Sequence, residues 1–167
     1  MQPTTNSLPL WAQLLLASVP ALAATFAAIG LWLTARQSRR TNSQARAAIV
    51  AACLERFCDD ADMQAIFYSI EYSHFKYREA NFHHSDEERQ LDKLLMHFST
   101  TALAWRAGLL QTRDLHPLQY LVRRILRDPG VAKYLGFVSE WSSRANLGEH
   151  PYLALSEMGR ALDPRGA

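Results

Sequence analysis

The first 35 residues of this 167-residue chain contain no Asp, Glu, Lys or Arg. All 18 basic and all 16 acidic residues lie at position 36 or beyond. Other absences narrow the chemistry. There are two cysteines, Cys53 and Cys58, and their spacing points them to different sides of a helix, so they cannot clamp a metal together. The six histidines show neither Cys-x-x-Cys pairing nor His-Glu-x-x-His spacing. Seven scattered glycines form no phosphate-cradling loop, and no Ser or Cys sits in a nucleophile elbow. Neither a metal nor a cofactor is expected. His83-His84, placed in a turn, is the nearest approach to a metal site, and both cysteines are expected to be buried, small apolar residues.

What is present begins with residues 8–35, LPLWAQLLLASVPALAATFAAIGLWLTA. A helix of roughly 20 such residues spans the hydrocarbon core of a bilayer. A cleaved signal peptide fits less well, since residues 1–7 lack a basic group and the apolar run continues past Ala21-Leu22-Ala23. Trp11 and Trp32 are spaced by about 31 Å of helix, which suits indole rings at two interfaces. Arg36, Arg39 and Arg40 follow at once and should remain on the cytoplasmic side, next to phosphate headgroups. The expected order is a short external tail over 1–7, a transmembrane helix over 8–35, a cytosolic domain over 36–163 and a frayed tail over 164–167. A cytosolic location keeps the cysteines reduced.

The span has two faces. Leu15, Val19, Leu22, Phe26, Ile29 and Leu33 form a bulky stripe, and Ala17, Ala21, Ala24 and Ala28 form a small-residue stripe. Membrane helices associate through close packing of small residues, so a homo-oligomer is expected along the alanines. An Ala-rich helix also yields such a stripe from composition alone.

The rest reads as one all-α domain, a bundle of about five or six helices. Thr41, Asn42 and Ser43 cap a helix to about Phe57 with Ile49, Cys53 and Phe57 in line, or the membrane helix runs on. A wide apolar arc over 61–80 predicts a central helix. Ser85-Asp86-Glu87-Glu88 is a capping box opening a helix over 86–109, with Leu91, Leu94, Leu95, Phe98, Ala102, Trp105 and Leu109 on one face. Pro117 suits the first turn of the next helix. Asp128-Pro129 starts another, carrying Val131, Tyr134, Leu135, Val138 and Trp141, and a short helix follows Pro151. Arg123, Arg124 and Arg127 read as a solvated helix face, with an acidic partner as the alternative.

One spacing has catalytic meaning elsewhere. Arg78 and His83 form R-x4-H, and Arg144 and His150 form R-x5-H. These resemble the R-x4–6-H motif of all-helical HEPN ribonucleases. There His performs acid–base work on RNA and Arg stabilises phosphate charge. With six histidines and 15 arginines, about one or two such matches arise by chance. The family's preferred Asn, Asp or His after the Arg is replaced by Glu79 and Ala145.

The arrangement as a whole resembles bacterial single-span membrane proteins of unknown function. The segments that carry it are residues 91–98, 107–110 and 128–141. It is similar, in architecture, to the HEPN-like membrane accessory proteins of type VI CRISPR systems. The basic cluster after Trp32 predicts the N-terminus outside and the C-terminus cytoplasmic, in a bacterium across the inner membrane, and the expected work is self-assembly or holding a cytosolic protein partner, without catalysis; the resemblance to the CRISPR accessory proteins implies phage defence as the setting. The alternative it implies is a membrane-tethered ribonuclease or RNA binder using Arg78 and His83, with nucleic acid as the partner.

Overall fold

The computed structural model describes Trp32, Thr34, Arg36, Gln37 and residues 41–163. It divides into two units, Met1–Gln44 and Ala45–Ala167. In the first, every described residue is helical, and the Arg36 guanidinium lies 5.3 Å from the centre of the Trp32 ring. Apart from Trp32 and Thr34, the expected span over 8–35 lies outside the described residues, as do Arg39, Arg40 and the tail over 164–167. Among the described residues, no helix is long and apolar enough to cross a membrane.

The second unit is all-α. Its described elements are α1 (helical over 41–59, of which 45–59 belong to this unit), α2 (Ala61–Glu71), α3 (Glu79–Phe82), α4 (Asp86–Arg106), a 3-10 turn (Thr112–Leu118), α5 (Gln119–Leu126), α6 (Pro129–Arg144) and α7 (Leu153–Ala161). No strand occurs among the described residues. The helix at the centre is α4, packed against α2 and α7, while α5 packs against α2, α6 and α7. Leu91, Leu94, Leu95, Phe98 and Ala102 of α4 are fully enclosed, the i, i+3, i+4 stripe that its sequence predicts.

Several expected boundaries move, each for a local reason. The helix expected over 61–80 stops at Glu71. Ser73 takes a left-handed φ of 59°, and the amides of His74 and Phe75 both bond back to the Ser69 carbonyl. Phe75 is buried, but on non-helical chain, and meets Phe82 edge-on at 5.8 Å. The α4 helix ends at Arg106, because Gly108 adopts φ 76° and terminates it as C-terminal glycines do. That turn exposes Leu109 and buries Leu110 in its place. In α1 the buried line is Val50, Cys53 and Phe57, and Ile49 is exposed. Cys58 is exposed too, contrary to the expectation for both cysteines, and so is Trp141.

Caps and ion pairs fix the ends. Asp60 caps α2 through the amides of Asp62 and Met63, and Asp128 caps α6 through Gly130 and Val131. Lys93 of α4 reaches both Asp60 (2.7 Å) and Asp62 (3.0 Å), tying the central helix to the start of α2. Asp114 closes a capping box with Gln111 and pairs with Arg46 of α1 at 3.0 Å. Gly159 of α7 faces Leu126 of α5 so closely that a Cβ there would fall 2.1 Å from its Cδ1, so a larger residue would make the Leu126 side chain shift.

Candidate functional site

The polar chemistry of the domain is concentrated along α4, where Glu88, Asp92 and His97 each meet groups from other segments. Glu88 follows from the capping box, with a modification. The Ser85 hydroxyl accepts from the Glu88 amide at 3.1 Å, as expected. The Glu88 carboxylate reaches past Ser85 and accepts from the His84 amide (2.6 Å) and from His83 Nδ1 (2.9 Å). Burial raises its carboxyl affinity for a proton, but these hydrogen bonds outweigh that, and the net shift is downward. The other His83 nitrogen lies 3.4 Å from the Tyr77 hydroxyl, and the ring lies 4.4 Å from Phe137. His83 is therefore held on both edges and one face.

One turn further along, Asp92 accepts from two phenols. The hydroxyls of Tyr134 and Tyr152 both donate to its Oδ1 at 2.7 Å. Burial, together with this bond to a carboxylate, pushes both phenols far above their ordinary range. A single carboxylate oxygen thus joins α4 to α6 and to the start of α7.

Further along α4, His97 meets α1. Its Nε2 is 2.9 Å from the Cys53 carbonyl oxygen and 3.4 Å from the Cys53 sulfur. A Cys–His pair at this distance is the geometry of an activated thiol, but here the proton is on the wrong atom. A carbonyl only accepts, so Nε2 carries the hydrogen and cannot take one from the thiol. Burial pushes the thiol up, against a smaller opposing effect of its bond to Thr101, and burial also holds the imidazole down. Both groups stay neutral, the opposite of a thiolate–imidazolium pair.

The motif residues have other partners. Arg78 is exposed at the start of α3, and no hydrogen bond or ion pair joins it to His83. Arg144 pairs with Glu140 at 3.1 Å, whereas His150 Nδ1 accepts from the Tyr152 amide at 3.3 Å. Among the described residues, no three His, Cys, Asp or Glu side chains could hold a metal ion together. Trp11, Ala17, Ala21, Ala24 and Ala28 lie outside the described residues.

The arginine run on α5 departs from a plain solvated face. Arg124 donates to the carbonyls of Ile70 (2.7 Å) and Glu71 (2.6 Å) and pairs with the Glu71 carboxylate at 3.1 Å. It caps the C-terminus of α2 from a neighbouring helix. Arg123 and Arg127 converge on Asp163, beyond α7. No sequence motif marks Asp92, His97 or Asp163. The one available signal was that Glu88 and Asp92 stand four apart on a helix whose neighbouring face is apolar.

No protein-family model, curated protein or solved structure matches the chain. What the fold defines is a class: an all-α domain built on one central helix.

Proposed function

We propose that this is a single-span inner-membrane protein, N-terminus outside and C-terminus cytoplasmic, whose helical domain works without catalysis, by self-assembly or as a scaffold for a cytosolic partner. The observation that carries the reading is the charge step: no ionisable side chain of Asp, Glu, Lys or Arg before position 36, then Arg36, Arg39, Arg40 and Arg46. The polar groups along α4 support the non-catalytic part. His83 is held by Glu88, Asp92 is shared by two tyrosines, and the Cys53 thiol is kept neutral, so none is free to move a proton for a substrate. The test is topology. A reporter that fluoresces only in the cytoplasm should work fused to the C-terminus, and an N-terminal fusion should be dark. The reverse pattern, or a full-length protein that stays in the supernatant without detergent, would sink the membrane reading.

A further inference from the structure

Three guanidiniums and a set of aliphatic walls meet in one groove on the second unit. The groove, of about 430 Å³, lies among α5, α6 and α7, and its apolar lining includes Leu126, Leu135 and Gly159. Arg123, Arg127 and Arg160 stand at its rim, with Asp163 as the single carboxylate among them. Asp163 is 2.5 Å from Arg127 and 3.5 Å from Arg123. Arg160 is exposed in the last turn of α7. One carboxylate against three guanidiniums leaves the rim with an excess of two positive charges. The volume is within the range of small-ligand sites, roughly 300–1,000 Å³.

The charge and the walls together select the ligand. A carboxylate offers two acceptor oxygens, and Asp163 already supplies that number. A phosphate monoester offers three peripheral oxygens and up to two charges, and guanidinium forks match it in pairs. No aromatic side chain lines this groove, so a nucleobase has no ring to stack on. The aliphatic lining fits a hydrocarbon chain.

We infer that the groove binds the phosphate of an acyl lipid, with Arg123, Arg127 and Arg160 around the phosphate and the first part of the chain against Leu126 and Leu135. Asp163 acts as an internal competitor that occupies Arg123 and Arg127 when the groove is empty. This site does not depend on the topology proposed above, and its test can fail independently of that proposal.

The probes are hexyl phosphate, inorganic phosphate and a 5′-phosphorylated single-stranded oligonucleotide, titrated calorimetrically into the full chain in a neutral detergent. Hexyl phosphate should bind about tenfold more tightly than inorganic phosphate, because the chain buries apolar surface. The double substitution Arg127→Ala with Arg160→Ala should weaken it about tenfold or more, and the corresponding double Lys substitution should recover part of the loss. Asp163→Asn should tighten binding, the direction that a merely structural carboxylate would not give. Both Ala substitutions are at exposed positions, and an unchanged far-ultraviolet circular dichroism spectrum will show that the fold persists. Equal affinity for hexyl and inorganic phosphate, indifference to the arginine substitutions, or preference for the oligonucleotide would each overturn the assignment.

Discussion

His97 Nε2 lies 2.9 Å from the carbonyl oxygen of Cys53 and 3.4 Å from its sulfur. The carbonyl claims the imidazole proton, and the thiol keeps its own. The two cysteines should therefore differ sharply toward iodoacetamide near neutral pH. Cys58, exposed on α1, should be accessible to the reagent, and Cys53 only when the domain opens. Peptide mass mapping against time measures both. Rapid labelling of Cys53 in the folded protein would show that the pair ionises after all.

Asp92 joins three helical segments through one oxygen, and its removal should be felt in stability. Tyr134→Phe or Tyr152→Phe should each cost about 1–2 kcal/mol in urea unfolding, since each deletes a hydrogen bond to a charged acceptor. The pair should be non-additive because both phenols share the acceptor. Their pKa values are raised in the folded state, so their contribution is complete below the ordinary phenol value of 10.0 and is lost as the pH rises above it. Wild-type stability should fall steeply in alkali, and the double Phe variant should show a flatter slope.

Arg124 caps α2 from α5. Arg124→Ala should destabilise the domain by about 2 kcal/mol, discounted from a fully buried pair because both side chains keep partial solvent contact. Glu71→Gln should cost less, because Arg124 retains the two carbonyls. Hydrogen exchange should show the loss concentrated at the end of α2. Equal costs for both substitutions would mean that the carbonyl cap contributes little.

His83 tests the ribonuclease alternative. The purified protein should not cleave RNA without metal, and His83→Ala should leave that unchanged. His83→Ala should lower stability modestly, by about 1 kcal/mol, because Glu88 loses a donor. The carboxyl of Glu88 is held below its ordinary value in the folded state, so its contribution is present above the unfolded pKa and is lost as pH falls through the folded one. The acid limb of the stability profile should therefore soften in the variant. Metal-free cleavage that vanishes with His83 would make the protein a nuclease.

The all-α class, the Ser85 half of the expected capping box, the Asp128 cap and the apolar stripe of α4 were legible in the sequence. Each depends on residues within one or two turns of one another, where spacing translates directly into geometry. The stop of α2 at Glu71 was not legible, because the run from Ala61 to Ala80 stays apolar at helical spacing. Its end is set by Ser73 in a left-handed turn and by Arg124, 53 residues downstream of Glu71. The arginines of α5 showed a face but not its partners, since Glu71 and Asp163 are distant in sequence.

The sequence by itself determined the charge boundary at Arg36 and the helical periodicity that follows it, because both are properties of neighbouring residues. Tertiary structure alone decided which polar groups are occupied. It brought Tyr134 and Tyr152 to Asp92, set His97 against the Cys53 carbonyl, and gave His83 to Glu88. The first two relationships cross between helices, and the packing of α4 against its neighbours, rather than any local spacing, fixes them.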